Sequence, residues 1–421
     1  MRESGSVVRN TTMLYVMNIV KMILPLFTLP YLTRVLSVDC YGVVAYVKSC
    51  ITYMQLTVDF GFLLSSTKEI VKARNDPTRI GQVVGDTLAA KMLLSAAALA
   101  VLLGMTAAIP LLQANMAYTL LSFAVVFLSS FLVDFLFRGL EQMQVITLRF
   151  VVMKLISTVL TFVFVHGDED ILWIPVLDVL GSLAAVALVW LRVRRLGIPL
   201  RVSGMRGALK MLKSSAVYFV SDMATTALGA LNTLLIGIFI DSADVAYWSV
   251  CMQIVTAVQS LYTPVTSGVY PEMIRRRDLG LIRRILLWFL PLIAAGCVVT
   301  FFFAKGALLL IGGEKYGAAE PILRALIPVL FFSFPGMLFG WPTLGAIDRV
   351  KETTLTTLIT AAVQLIGLAL LLAAGRFEVV SIALLRGGTE ALMCFLRGGF
   401  CWKYRREFSA ERVRKPGTDL P

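Results

Sequence analysis

Lys21 and Lys48 stand well inside long apolar stretches of this chain. A lysine near the centre of a lipid-spanning helix costs about 2.5–3.5 kcal/mol on insertion scales, and it persists where it faces a protein interior or a water-filled cavity. An ammonium group on a flexible stem is well suited to phosphate. The two positions therefore point to a polar cavity that holds an anion. Lys91 is a further deep cation and a third candidate for that cavity. At helical spacing, Asn18, Lys21, Pro25 and Thr28 share one face. Lys48, Thr52, Gln55 and Asp59 share another, with Tyr41 one heptad back. The anion-binding set read from this pattern is Lys21, Lys48, Lys91, Arg386, Asn18 and Gln55. Asp59, Asp222 and Glu390 are candidates for taking up a proton or sodium ion that drives movement.

Each assignment has a plainer competitor. Arg386 and Glu390 are four residues apart and can simply neutralise each other. Polar stripes also run along Asp222, Thr226, Gly229 and Thr233, along Gln253, Thr256, Ser260, Thr263 and Ser267, and along Thr353, Thr357, Thr360 and Gln364. Such hydroxyls and amides often bond between helices. That reading carries more weight for the last two stripes; a cavity carries more for Lys21, Lys48 and Asp59. Asp86 and Lys154 fall near span ends, where a long side chain reaches the interface. Asp134 and Asp178 read equally as pairing partners or ion sites.

The elements that must position these groups follow from composition. Of 421 residues, 58% are hydrophobic and 15% charged, and mean hydropathy is +0.82. A soluble protein carries about 25% charged residues. The chain reads as an integral membrane protein. Stretches of about 20 apolar residues occur twelve times: 11–34, 41–64, 83–110, 116–138, 149–166, 171–191, 214–239, 245–269, 285–311, 321–346, 353–374 and 378–401. Helices are required, because open strands would leave unpaired backbone groups in lipid.

Lys and Arg crowd alternate connections: 68–79, 192–213, 275–284 and the tail after 402. The opposite connections are short and poor in positive charge. By the positive-inside rule both termini are cytoplasmic. This also accounts for the net charge of +13 without nucleic acid. The expected organisation is a six-helix bundle over 1–191, a basic linker over 192–213, a second six-helix bundle over 214–401 and a cytoplasmic tail over 402–421. A faint repeat supports this: TMLYVMNIV (12–20) compares with SAVYFVSDM (215–223), and VDCYGVVAY (38–46) with ADVAYWSVC (243–251).

No P-loop or Rossmann glycine motif is present, so ATP bound by this chain is not expected. Outer connections are too short to hold a catalytic domain, and no enzyme activity, cofactor or metal is expected. His166 is the single histidine, and the six cysteines lack a CxxC pair and read as small buried residues. The first span is expected to stay as an anchor, since it lacks a small-residue cleavage site. Pro25 and Pro30 in the first span, and Pro321, Pro328, Pro335 and Pro342 in the tenth, suit bent helices.

The run LPLFTLPYLTRVLSVDCYG, followed by VDFGFLLSSTKEI and by FLFRGLEQM (135–143), resembles bacterial polysaccharide-repeat-unit flippases of the Wzx type. Most of the resemblance lies in the first 160 residues. The chain departs in having SVD where a Gly usually follows RVL, and Arg138 where a Gln usually precedes GLE. The resemblance implies an all-α membrane fold of about twelve helices in two six-helix bundles around a central cavity, as in multidrug/oligosaccharidyl-lipid/polysaccharide exporters. It implies transfer of undecaprenyl-diphosphate-linked, anionic oligosaccharide between leaflets of the bacterial inner membrane, for O-antigen, capsule or another surface glycan. Membrane lipids, H+ or Na+, and a polysaccharide polymerase or chain-length regulator are the implied partners. The alternative is a cation-coupled multidrug or small-molecule exporter of the same superfamily, for which acidic groups should dominate the cavity.

Overall fold

The computed structural model describes residues 2–223 and 228–408, and no strand occurs among them. In chain order the helices are α1 (Arg2–Val35), α2 (Val38–Asp59), α3 (Phe62–Lys72), α4 (Pro77–Ala108), α5 (Pro110–Ala114), α6 (Met116–Ser129), α7 (Asp134–Gly139), α8 (Met143–Phe164) and α9 (Trp173–Arg195). There follow α10 (Met205–Asp222), α11 (Leu228–Phe239), α12 (Ser242–Arg276), α13 (Leu279–Gly312), α14 (Glu320–Ala325), α15 (Ile327–Leu338), α16 (Val350–Ala373) and α17 (Val379–Lys403). Two compact units, Met1–Ala246 and Tyr247–Pro421, divide the chain.

Nine helical segments among the described residues are long and apolar enough to cross a bilayer. The three other expected spans lie on α2, on α10 and α11 with the undescribed residues 224–227 between them, and on α12. Among these, α2 is made more polar by Asp39, Lys48 and Asp59, which all sit on it. Its 22 residues still reach about 33 Å at the usual helical rise.

Local sequence fixes the helix ends. Ser37 caps α2 by accepting from the Cys40 amide, and Asp76 caps α4 by accepting from the amides of Thr78 and Arg79, with Pro77 in the first turn. The turn between α2 and α3 needs Gly61, whose φ is +73°. A Cβ there would also stand 2.5 Å from Cβ of Tyr218. In the FLFRGLEQM run the chain breaks: α7 stops at Gly139, Glu141 has positive φ, and α8 starts at Met143.

In the first unit the connections gather at two ends. At one end the Ser37 amide donates to Asp168 Oδ1 at 2.7 Å and Ser242 Oγ to Asp39 Oδ1 at 2.6 Å. At the other, Arg74 pairs with Glu141 at 2.9 Å, and the Ser203 amide donates to Asp86 Oδ1 at 2.7 Å. Asp86 is thus buried as an anchor for the connection between α9 and α10, rather than reaching outward. An apolar cluster around Phe62, Ile70, Phe135, Leu136, Val189 and Met211 packs α3, α7, α9 and α10 together.

Candidate functional site

A cavity of about 420 Å³ lies within the first unit, walled by α1, α2, α6, α8 and α9. From α1 come Lys21, Leu24, Pro25 and Thr28; from α2, Val44, Lys48 and Ile51; from α6, Tyr118 and Ser122. The α8 wall supplies Phe150, Lys154, Ser157 and Thr161, and α9 supplies Pro175 and Asp178. Three lysines against one aspartate leave two net positive charges on the wall.

The ammonium groups are held differently. Lys21 Nζ stands 5.2 Å from the centre of the Phe150 ring, a cation–π approach. It also feels the charges of Arg149, Asp134 and Arg138. Arg149 and Asp134 form a two-pronged ion pair joining α8 to α7. Lys48 has Lys154 and Asp178 as its charged neighbours. Lys154 Nζ is 3.8 Å from Asp178 Oδ1, and Ser157 Oγ donates to the same oxygen at 2.5 Å. Pro25 has no N–H for the Lys21 carbonyl one turn back. That helix wall therefore presents a backbone acceptor beside the lysine. Thr28 returns its hydroxyl to the Leu24 carbonyl at 3.1 Å.

Other sequence-read positions lie elsewhere. Asn18 is exposed on α1, a turn before Lys21, and is not on the cavity wall. Lys91 is buried and pairs with Asp59 at 3.1 Å. Gln55 Nε2 donates to Asp59 Oδ2 at 2.7 Å and to Ser129 Oγ at 3.0 Å. These groups tie α2, α4 and α6 together. Arg386 and Glu390 pair at 3.0 Å in the second unit, where Ser333 donates to Glu390 at 3.2 Å. The side chain of Asp222 lies outside the described residues.

Two members of the α16 stripe bond between helices: Thr357 accepts from the guanidinium of Arg397, as does Thr356 beside it, and Gln364 accepts from Thr389, while Thr360 returns its hydroxyl to its own helix. Thr256 and Ser260 on α12 return their hydroxyls to their own helix. No group of three or more metal-ligating side chains occurs among the described residues. Lys154, read from sequence as reaching the interface near a span end, stands on the cavity wall beside Asp178, which the sequence left open between pairing partner and ion site. The signal for each was a charge within an apolar span, and the pair, 24 positions apart in the chain, joins α8 to α9.

Known proteins place this arrangement. An inward-facing multidrug resistance MATE family transporter of the MOP superfamily superposes with a TM-score of 0.67 at 14% identity, covering 94% of this chain and 97% of its own. The lipid II flippase MurJ, in an inward closed conformation, superposes with a TM-score of 0.69 at 11% identity, covering 96% and 89%. In sequence, a protein of Escherichia coli (strain K12) assigned by name to O-antigen transport is 24% identical over 352 residues, 82% of this chain and 85% of its own. Fold and cavity together define a multi-pass, all-helical membrane protein of MATE-like architecture. The sequence profile of the family described as "Polysaccharide biosynthesis protein" matches residues 7–276, and the chain belongs to that family.

Proposed function

We propose that this protein is a flippase: it carries undecaprenyl-diphosphate-linked oligosaccharide from the cytoplasmic to the periplasmic leaflet of a bacterial inner membrane, and it catalyses no covalent change. The observation that carries this reading is the cavity wall, with Lys21, Lys48 and Lys154 set against Asp178 alone. A diphosphate is a compact polyanion, and ammonium groups on flexible stems hold one without demanding a fixed geometry. The lipid tail stays in the bilayer while the head group enters the protein. Two six-helix bundles joined by the 192–213 linker would alternate access, and both termini would face the cytoplasm. Coupling to H+ or Na+, and hand-over to a polysaccharide polymerase or chain-length regulator, belong to the same proposal. The MurJ likeness in fold and the O-antigen transporter likeness in sequence support it. A cation exporter calls for the opposite charge balance on the wall.

Complementation tests this. In a strain whose surface glycan depends on this gene, Lys21→Ala with Lys48→Ala should cut glycan display at least tenfold at unchanged protein level, about 1.4 kcal/mol or more of lost cargo stabilisation. Unchanged display would remove the cavity from the account.

A further inference from the structure

The cavity holds one carboxylate among its ammonium groups, and that carboxylate is loosely held. The first unit has other ion pairs on membrane helices for comparison. Arg149 and Asp134 engage through two bonds with side chains only 10% and 22% exposed. Lys91 meets Asp59 at 3.1 Å, within hydrogen-bond reach, with side chains 6% and 50% exposed. Lys154 and Asp178 are 3.8 Å apart, with side chains 41% and 35% exposed, and both face the cavity. A charge-assisted N–H···O bond closes to about 2.7–2.9 Å, so this pair stands open. Its one short bond is to the neutral Ser157 hydroxyl. Asp178 also shares the cavity wall with Lys48 of α2 and Tyr118 of α6, and its charge acts on both.

We infer that Asp178 is a resident counter-anion, which neutralises Lys154 and Lys48 while the cavity is empty and is displaced from both by the anionic group of the cargo. This deepens the flippase reading and rests on it. Two consequences follow from charge alone. A singly charged ligand gains little by replacing one carboxylate with another negative charge, whereas a diphosphate brings more charge than it displaces. Release is helped in turn, because the carboxylate is beside the lysines and reclaims them as the cargo leaves. Asp178 is thus a specificity-determining residue that lowers affinity so that cargo can be let go.

The test uses the full chain, purified in detergent and titrated with geranylgeranyl diphosphate and, in parallel, with the neutral alcohol geranylgeraniol. Asp178→Asn should bind the diphosphate about tenfold more tightly than wild type, the size expected for deleting one like charge at contact distance, and should bind the alcohol as wild type does. Asp178→Glu, which keeps the charge, should stay within about twofold. Asp178→Ser deletes the charge without adding bulk, and it must move in the same direction as Asp178→Asn. Unchanged or weaker diphosphate binding in both charge-deleted variants would overturn the inference while wild-type preference for diphosphate left the flippase reading standing. Wild type binding diphosphate no better than alcohol would overturn both. A change shared by both probes would assign Asp178 a packing role and equally overturn the inference.

Discussion

Lys48 and Lys91 are the same side chain on apolar helices, yet their surroundings assign them different work. Lys48 is exposed to a cavity whose wall carries more cations than anions. The ammonium of Lys91 is buried against Asp59, which Gln55 also bonds. Lys91→Met should therefore lower stability by about 1 kcal/mol, the net loss of one hydrogen bond whose acceptor stays half exposed and bonded to Gln55, visible as a lower melting temperature in detergent. Lys48→Ala should leave the melting temperature unchanged or raise it, because it relieves repulsion with Lys154, and should weaken cargo binding. Equal losses of stability in both variants would contradict the division. The helical period placed Lys48, Gln55 and Asp59 on one face of α2, and that much was legible. Gln55 and Asp59 lie about 10–17 Å further along the axis, where α4 and α6 replace the cavity as neighbours. Face is written in the spacing; the neighbour at each height is not. For the same reason the spacing did not name Lys154 as the partner of Asp178.

At the scale of elements, two breaks in helical regularity have separate roles. Pro25 interrupts the α1 ladder at the cavity, beside Lys21. Pro25→Ala restores the bond to the Lys21 carbonyl and so occupies that acceptor on the cavity wall; it should raise the melting temperature while slowing flipping. Faster flipping, measured with a fluorescent lipid-linked diphosphate, would refute a role for the proline. Gly61 sets the turn into α3 with a positive φ and close contact with Tyr218. Gly61→Ala should lower stability by at least about 1–2 kcal/mol from backbone strain alone, read as reduced melting temperature and reduced membrane yield. The sequence motif around VDFGF is thereby explained by backbone shape. The FLFRGLEQM run likewise marks a helix break held by the Arg149–Asp134 pair. Neither tie was visible from hydropathy, which reports burial in lipid and is blind to turns.

Over the whole molecule, lipid-facing surface is abundant: Trp288 on α13 is 81% exposed and Leu292 68%. Connections of the first unit segregate to two ends, those rich in Lys and Arg at one and those around Asp39 and Asp168 at the other. In intact cells of a Cys40→Ser background, an impermeant thiol reagent should label Glu169→Cys and spare Glu141→Cys until the membrane is opened. Labelling in the reverse order would invert the proposed orientation. The overall helical architecture was legible because each span repeats the same hydropathy signal, while the balance of charge inside the protein emerged once five helices were brought together. That balance is tested most directly in proteoliposomes, by following transbilayer movement of a fluorescent prenyl diphosphate beside a neutral prenyl alcohol. Lys48→Glu reverses one wall charge and should slow the diphosphate at least tenfold, about 1.4 kcal/mol or more, with the alcohol unaffected. Diphosphate movement equal to wild type in Lys48→Glu would contradict the claim that a cationic cavity carries the cargo.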